Sequence, residues 1–191
     1  NVTVLNADVQ GHGSAAVIVA HGVCAKIDNC HVEEADVLST PFEGEEANNV
    51  GGIVGYLSGE TVGYVTNSSV KNATITGYRK VGGVAGAANQ TAEVSGNTLE
   101  NVKVIADQTY EYNEVNKPVD LGAIVGYKHA NAIVTGSAKG AELIHKVNSV
   151  EELSKPAKDA FIKPASGEYN LTSDITMSNS SVQLNEGEVF I

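Results

Sequence analysis

One short phrase of residues returns along this chain. Val50-Gly51-Gly52-Ile53-Val54-Gly55-Tyr56 comes back as Val81-Gly82-Gly83-Val84-Ala85-Gly86-Ala87 and again as Leu121-Gly122-Ala123-Ile124-Val125-Gly126-Tyr127. A fainter version, Ser14-Ala15-Ala16-Val17-Ile18-Val19-Ala20, opens the series. Self-similarity at a spacing of roughly 30 to 40 residues marks units that bury their apolar faces only against neighbouring copies.

The match runs past the glycines. Val65 aligns with Val94, Val70 with Leu99, Asn72 with Asn101 and Ile75 with Val104. The first copy continues through Ile27, Cys30, His31 and Val32, and the fourth through Val134 before it degenerates near Ala141 to Ile144. The opening residues Asn1-Val2-Thr3-Val4 match Asn101-Val102-Lys103-Val104, so the chain is expected to begin inside a copy. Each copy reads as three short alternating runs rich in Val and Ile and bounded by Gly, Asn and Ser, which is a strand signature. The expected fold is all-β: a parallel β-helix of about four to five coils over residues 1–146, its inward side chains stacked about 4.8 Å apart. The glycines then serve corners, by positive φ or by close backbone approach. Asn72 and Asn101 suit corners because Asn tolerates the left-handed region. A phosphate-binding loop is excluded, because such a loop must open a helix and here a second strand follows.

From residue 147 the pattern changes. Ser149 and Glu152 form a capping box before Leu153, Ala157, Ala160 and Phe161, which predicts one short helix that Pro156 bends or shortens. Residues 167–171, 174–177 and 181–184 read as short strands, so 147–191 forms a second segment. It ends in strand-like sequence at Phe190-Ile191, so the chain is expected to be a fragment, cut at both ends, of something longer.

The Val-Gly-Gly-hydrophobic-Val/Ala-Gly block, followed by a polar turn and an Asn- and Ser/Thr-rich strand, resembles the GLUG-type repeat of secreted and surface-attached bacterial proteins. Residues 50–56 and 81–86 carry the resemblance best. The order helix, Gly167-Glu168-Tyr169-Asn170-Leu171, Asp174-Ile175-Thr176 is similar to the start or cap of a pectate-lyase-like right-handed β-helix. Together these resemblances imply a right-handed solenoid placed outside the cell or on its surface, and a stalk or adhesion module of a longer bacterial protein.

Composition narrows the function. Aromatic residues make up 5% of the chain with no Trp, so the core must be built from Val, Ile, Ala and Leu. The formal charge is -11 and Arg79 is the single arginine, which excludes nucleic acid and anionic lipid as partners. No apolar stretch approaches the roughly 18 residues of a membrane span. Cys24 and Cys30 can bridge only if both side chains turn the same way, and alternation cannot be carried through a corner, so their pairing stays open. With His21 and His31 they fall short of a zinc set, and no calcium loop occurs, so neither metal nor cofactor is expected.

Two acidic insertions, residues 38–49 and 105–120, break the repeat, and insertions in solenoids map to loops where recognition occurs. Tyr110 and Tyr112 in the second are candidate binding residues, able to stack on sugar rings or on a protein. Tyr56 and Tyr127 share one repeat position, with Ala87 between them, and form a second candidate pair of aromatic steps. Glycan cleavage needs convergent carboxylates, and here Asp and Glu are scattered over loops. His12 and His129 lie in turns without an evident partner. The sequence therefore points to a non-catalytic adhesion or display module that meets a host or cell-surface protein or glycan. Carbohydrate binding through the tyrosines is the alternative, and a polysaccharide-degrading enzyme comes third.

Overall fold

The computed structural model describes residues 1–41, 48–59, 62–109 and 119–147, with the strands Gly167–Leu171 and Val189–Phe190. The predicted helix after Ser149 and the strands at 174–177 and 181–184 lie outside the described residues, as do Tyr110 and Tyr112. Among the described residues the chain is all-β, with no helix, and its paired strands run parallel. They form one 12-stranded sheet and two four-stranded sheets.

Corresponding positions of the repeat sit side by side in register. One row runs Val9, Val37, Ile75, Val104, Leu143, and another Val4, Val32, Val70, Leu99, Ala138. A third joins Ile27, Val65, Val94 and Val134. The middle members are almost fully buried, and together these rows make the apolar core of the large sheet, a wall built from β-branched residues that suit a pleated surface. One outward row alternates in charge. Glu33, Lys71, Glu100 and Lys139 form one row, with Lys71 Nζ 3.5 Å from Glu100 Oε2.

The corners of the wall carry the special backbone. Asn6, Glu34, Asn72, Asn101 and Gly140 hold positive φ at the corner between the Val70 and Ile75 rows, and Asn29, Asn67 and Gly96 at the corner between the Val65 and Val70 rows. Inside the second corner stands a buried polar ladder. Asn97 donates to the Val65 carbonyl (2.8 Å) and accepts from the Ser68 amide (3.0 Å); Ser68 Oγ accepts from the Cys30 amide (3.0 Å) and donates to the Thr66 carbonyl (2.7 Å). Cys30 Sγ repeats that last bond toward the Asp28 carbonyl (3.5 Å). Cys30 thus points inward as the counterpart of Ser68, whereas Cys24 occupies a different corner with φ 51, and neither forms a disulfide.

Two sequence-based expectations are corrected by this register. Val4 pairs with Val32, not in the Val104 row, so Asn1–Val4 corresponds to residues 29–32 rather than 101–104. Both corners share the grammar Asn-x-x-apolar, as in Asn67 to Val70 and Asn72 to Ile75, so a short segment fits either. The faint first copy also slips by one residue: Ala15 pairs with Val50 and Val19 with Val54.

The glycine phrase is not one strand. Asn49–Gly51 and Val54–Ser58 are separate strands in different sheets, and residues 48–55 and 81–88 are buried throughout. The chain enters the interior, reverses at Gly52-Ile53 and leaves again, so the two small sheets meet backbone to backbone. A Cβ on Gly86 would lie 2.6 Å from the Asn49 carbonyl carbon and 2.6 Å from the Gly55 oxygen. None of the glycines of this fold-back has positive φ. Of the two expected reasons for glycine, close approach is the one that operates.

Strand 142–147 pairs with 167–171, which pairs with 189–190, so parallel pairing continues beyond residue 147.

Candidate functional site

The mouth of the fold-back is where side chains capable of recognition or chemistry collect. On its entering side, the position before each buried Ala, Val or Leu is polar, giving the row Ser14, Asn49, Lys80, Asp120. On its leaving side stands the row His21, Tyr56, Ala87, Tyr127. The expected alignment of Tyr56 with Tyr127 through Ala87 is what the register contains, and His21 extends it.

The gap at Ala87 is closed. Ala87 is 0% exposed, while Tyr56 and Tyr127 are half-buried. Lys80 Nζ lies 4.5 Å from the centroid of the Tyr127 ring, a cation–π contact that occupies that face. His21 packs on Tyr56 with ring centroids 4.8 Å apart, and Asn89 Nδ2 donates to the Tyr56 hydroxyl at 2.7 Å. Both tyrosines are therefore engaged with neighbours from adjacent copies.

Burial perturbs the charges here. Desolvation pulls the Lys80 ammonium below its usual range, aided by Arg79 and opposed by Asp120 and Tyr56. Burial pushes the Asp120 carboxyl up, against the attraction of Lys80 and Arg79. Asn49 is 2% exposed; its Nδ2 donates to Ser14 Oγ at 3.1 Å, and its Oδ1 has no hydrogen-bond partner among the described residues. A buried unsatisfied carbonyl costs about 1–3 kcal/mol, which marks the atom for scrutiny.

Sequence reasoning assigned Asn49 and Asp120 to the insertions and so missed this row. Both begin strands, and Ile105 to Asp107 still belong to the wall, so the insertions are shorter than expected. The available signal was the polar residue preceding every copy of the phrase.

The insertions share one origin. They leave between the wall strand and the entering strand, after Thr40 and after Thr109, on the two copies that flank Gly77–Lys80. In that middle copy only Tyr78 and Arg79 make the same crossing. Asn48 plugs this corner: its Oδ1 accepts from the Tyr78 amide at 2.6 Å and its Nδ2 donates to Ser39 Oγ at 3.0 Å.

Other histidines do have partners. His12 Nδ1 meets Thr40 Oγ1 at 2.8 Å, and His129 Nδ1 accepts from the Asn131 amide at 3.2 Å. His31 links Ser69 Oγ (2.8 Å) to Asn29 Oδ1 (3.1 Å), which resembles a nucleophile, base and orienting group. The amides of Ser69 and His31 are spent on sheet bonds, to the Cys30 and Val2 carbonyls, so they supply no oxyanion cradle. Among the described residues, no group of three or more His, Cys, Asp or Glu could hold a metal, and no helix is long and apolar enough to cross a membrane.

No protein-family model matches the chain, and no curated protein or solved structure matches it either.

Proposed function

We propose that the chain is a right-handed parallel β-helix serving as a non-catalytic display or adhesion module of a longer, secreted or surface-attached bacterial protein. Recognition is carried by the corner from which both insertions emerge. The observation that supports this reading most is that shared origin. Two acidic insertions leave from the same crossing on the first and third copies, and the intervening copy crosses there with Tyr78 buried and Arg79 partly exposed. A stacked scaffold converts such spacing into one surface at little cost in stability, since surface loops tolerate insertion. On the wall, outward side chains of adjacent copies pair with one another, as Lys71 with Glu100 and Lys103 with Glu142. The resemblance to the GLUG-type repeat agrees in location and architecture.

Carbohydrate binding is the second reading, favoured by Tyr110 and Tyr112 in one of the two insertions. The test is a glycan array and a panel of immobilised extracellular-matrix proteins, probed with the native chain. Variants with 42–47 or 110–118 replaced by short Gly-Ser links are compared, and circular dichroism checks their fold. The proposal expects saturable binding that falls at least tenfold in both variants. Glycan binding lost only with 110–118 favours the tyrosine reading. Binding unchanged in both variants, or turnover of an acidic polysaccharide, overturns the proposal.

A further inference from the structure

We propose that Lys80 and Asn49 join in an intramolecular isopeptide bond between adjacent copies, with Asp120 carrying the proton. The three residues occupy one row on three neighbouring parallel strands, with Lys80 in the middle. Strands so paired lie about 4.8 Å apart, within the reach of a lysine stem. Lys80 Nζ rests on Tyr127, toward Asp120; rotation about its side-chain torsions brings it to Asn49 on the other side.

The chemistry asks three things of such a row. The amine must give up its proton to become a nucleophile, and burial at the mouth favours the neutral form of Lys80. The carboxyl must hold a proton, and burial favours the protonated form of Asp120. The amide carbonyl must be open to polarisation, and Asn49 Oδ1 is a buried acceptor with no partner among the described residues. Its Nδ2 is held toward Ser14, on the side away from Lys80, where a leaving group belongs.

The step balances without oxidant or cofactor. Asp120 takes the proton of the Lys80 ammonium, its neighbour in the row, and the freed Nζ lone pair attacks Asn49 Cγ. One proton passes from Nζ to Nδ2, the Cγ–Nδ2 bond breaks and ammonia leaves. A Lys80–Asn49 amide remains, and Asp120 keeps the proton it took. The cross-link ties the copy that carries the first insertion to the copy after it, directly beside the shared corner.

Intact-mass spectrometry of the folded protein tests this. The native chain is expected about 17 Da lighter than its sequence mass, the loss of one ammonia. Tryptic digestion should then release a branched peptide joining the segments that contain Asn49 and Lys80. Lys80→Arg keeps the cation over Tyr127 and should return the full mass, and Asp120→Asn should leave most molecules unreacted. A native chain at full mass after prolonged incubation overturns the proposal. So does a 17 Da deficit that persists in Lys80→Arg, which would mark ring closure of an asparagine instead.

Discussion

The wall and the fold-back meet the same requirement, a register fixed from copy to copy, by opposite means. In the wall, each row is defined by side chains that fill space, and the row accepts substitutes: Val32, Val70 and Leu99 share one position, and Cys30, Ser68 and Asn97 another. In the fold-back the row is defined by the absence of a side chain, because two backbones pass where a Cβ would stand. Volume can be redistributed among neighbours, whereas backbone cannot move aside without breaking the ladder. Packing by filling is therefore tolerant, and packing by omission is not.

That contrast is most directly broken at Gly86. Gly86→Ala is expected to cost about 4 kcal/mol or more, enough to unfold a marginal domain, read as loss of the cooperative denaturation transition. Ala20 occupies the same row in the first copy and is exposed there. Ala20→Gly should therefore shift stability by no more than about 1 kcal/mol.

In the wall, Ile75→Ala should cost about 3 kcal/mol as a cavity, and Leu99→Val only about 1 kcal/mol, both by urea denaturation. An equal cost at Gly86 and Leu99 would erase the distinction.

The wall's tolerance extends to a buried imidazole. His145 is 2% exposed, stands in the row of Ala106, and donates through Nε2 to Gln108 Oε1 at 3.0 Å. Burial pulls its pKa down to about 4, against the pull of Asp107, so the folded state holds it neutral. The unfolded chain binds the proton first. Stability is full above the ordinary value near 6.5 and falls as pH drops toward about 4, by about 2 kcal/mol between pH 6.5 and 5. Denaturation curves for the native chain and His145→Gln should converge in their pH dependence over that window if another group is responsible, and diverge if His145 is.

The smallest effect belongs to the corners. Asn72 has φ 49, so Asn72→Ala should cost about 1 kcal/mol and Asn72→Gly close to none, as Gly140 in the same row suggests.

This contrast also explains which parts of the molecule the sequence exposes. A position that only glycine fits cannot drift, so the phrase at 50–56, 81–87 and 121–127 is visible by eye. Its fold-back is invisible, because Val-Gly-Gly-Ile-Val-Gly alternates no differently from one strand and only close backbone approach splits it. Wall rows drift within apolar volume, and both corners use Asn, so Asn1–Val4 aligns as well with the wrong corner as with the right one. The mouth was the least legible. Asn49, Lys80 and Asp120 differ in chemistry and follow links of different length, so nothing in their identity announces a shared row.

Parallel register between successive copies underlies all of this, and paired cysteines test it directly. In a background with Cys24→Ser and Cys30→Ser, Lys71→Cys with Glu100→Cys places two thiols on adjacent strands of one outward row. The separation suits a disulfide, whose Cα atoms lie about 4.4–6.8 Å apart. Glu33→Cys with Glu100→Cys spans two strand spacings, about 10 Å, beyond that limit. Rapid oxidation of the first pair within the monomer, and none of the second, is the expected result. Cross-linking of the second pair without the first would contradict the register and the stacked architecture built on it.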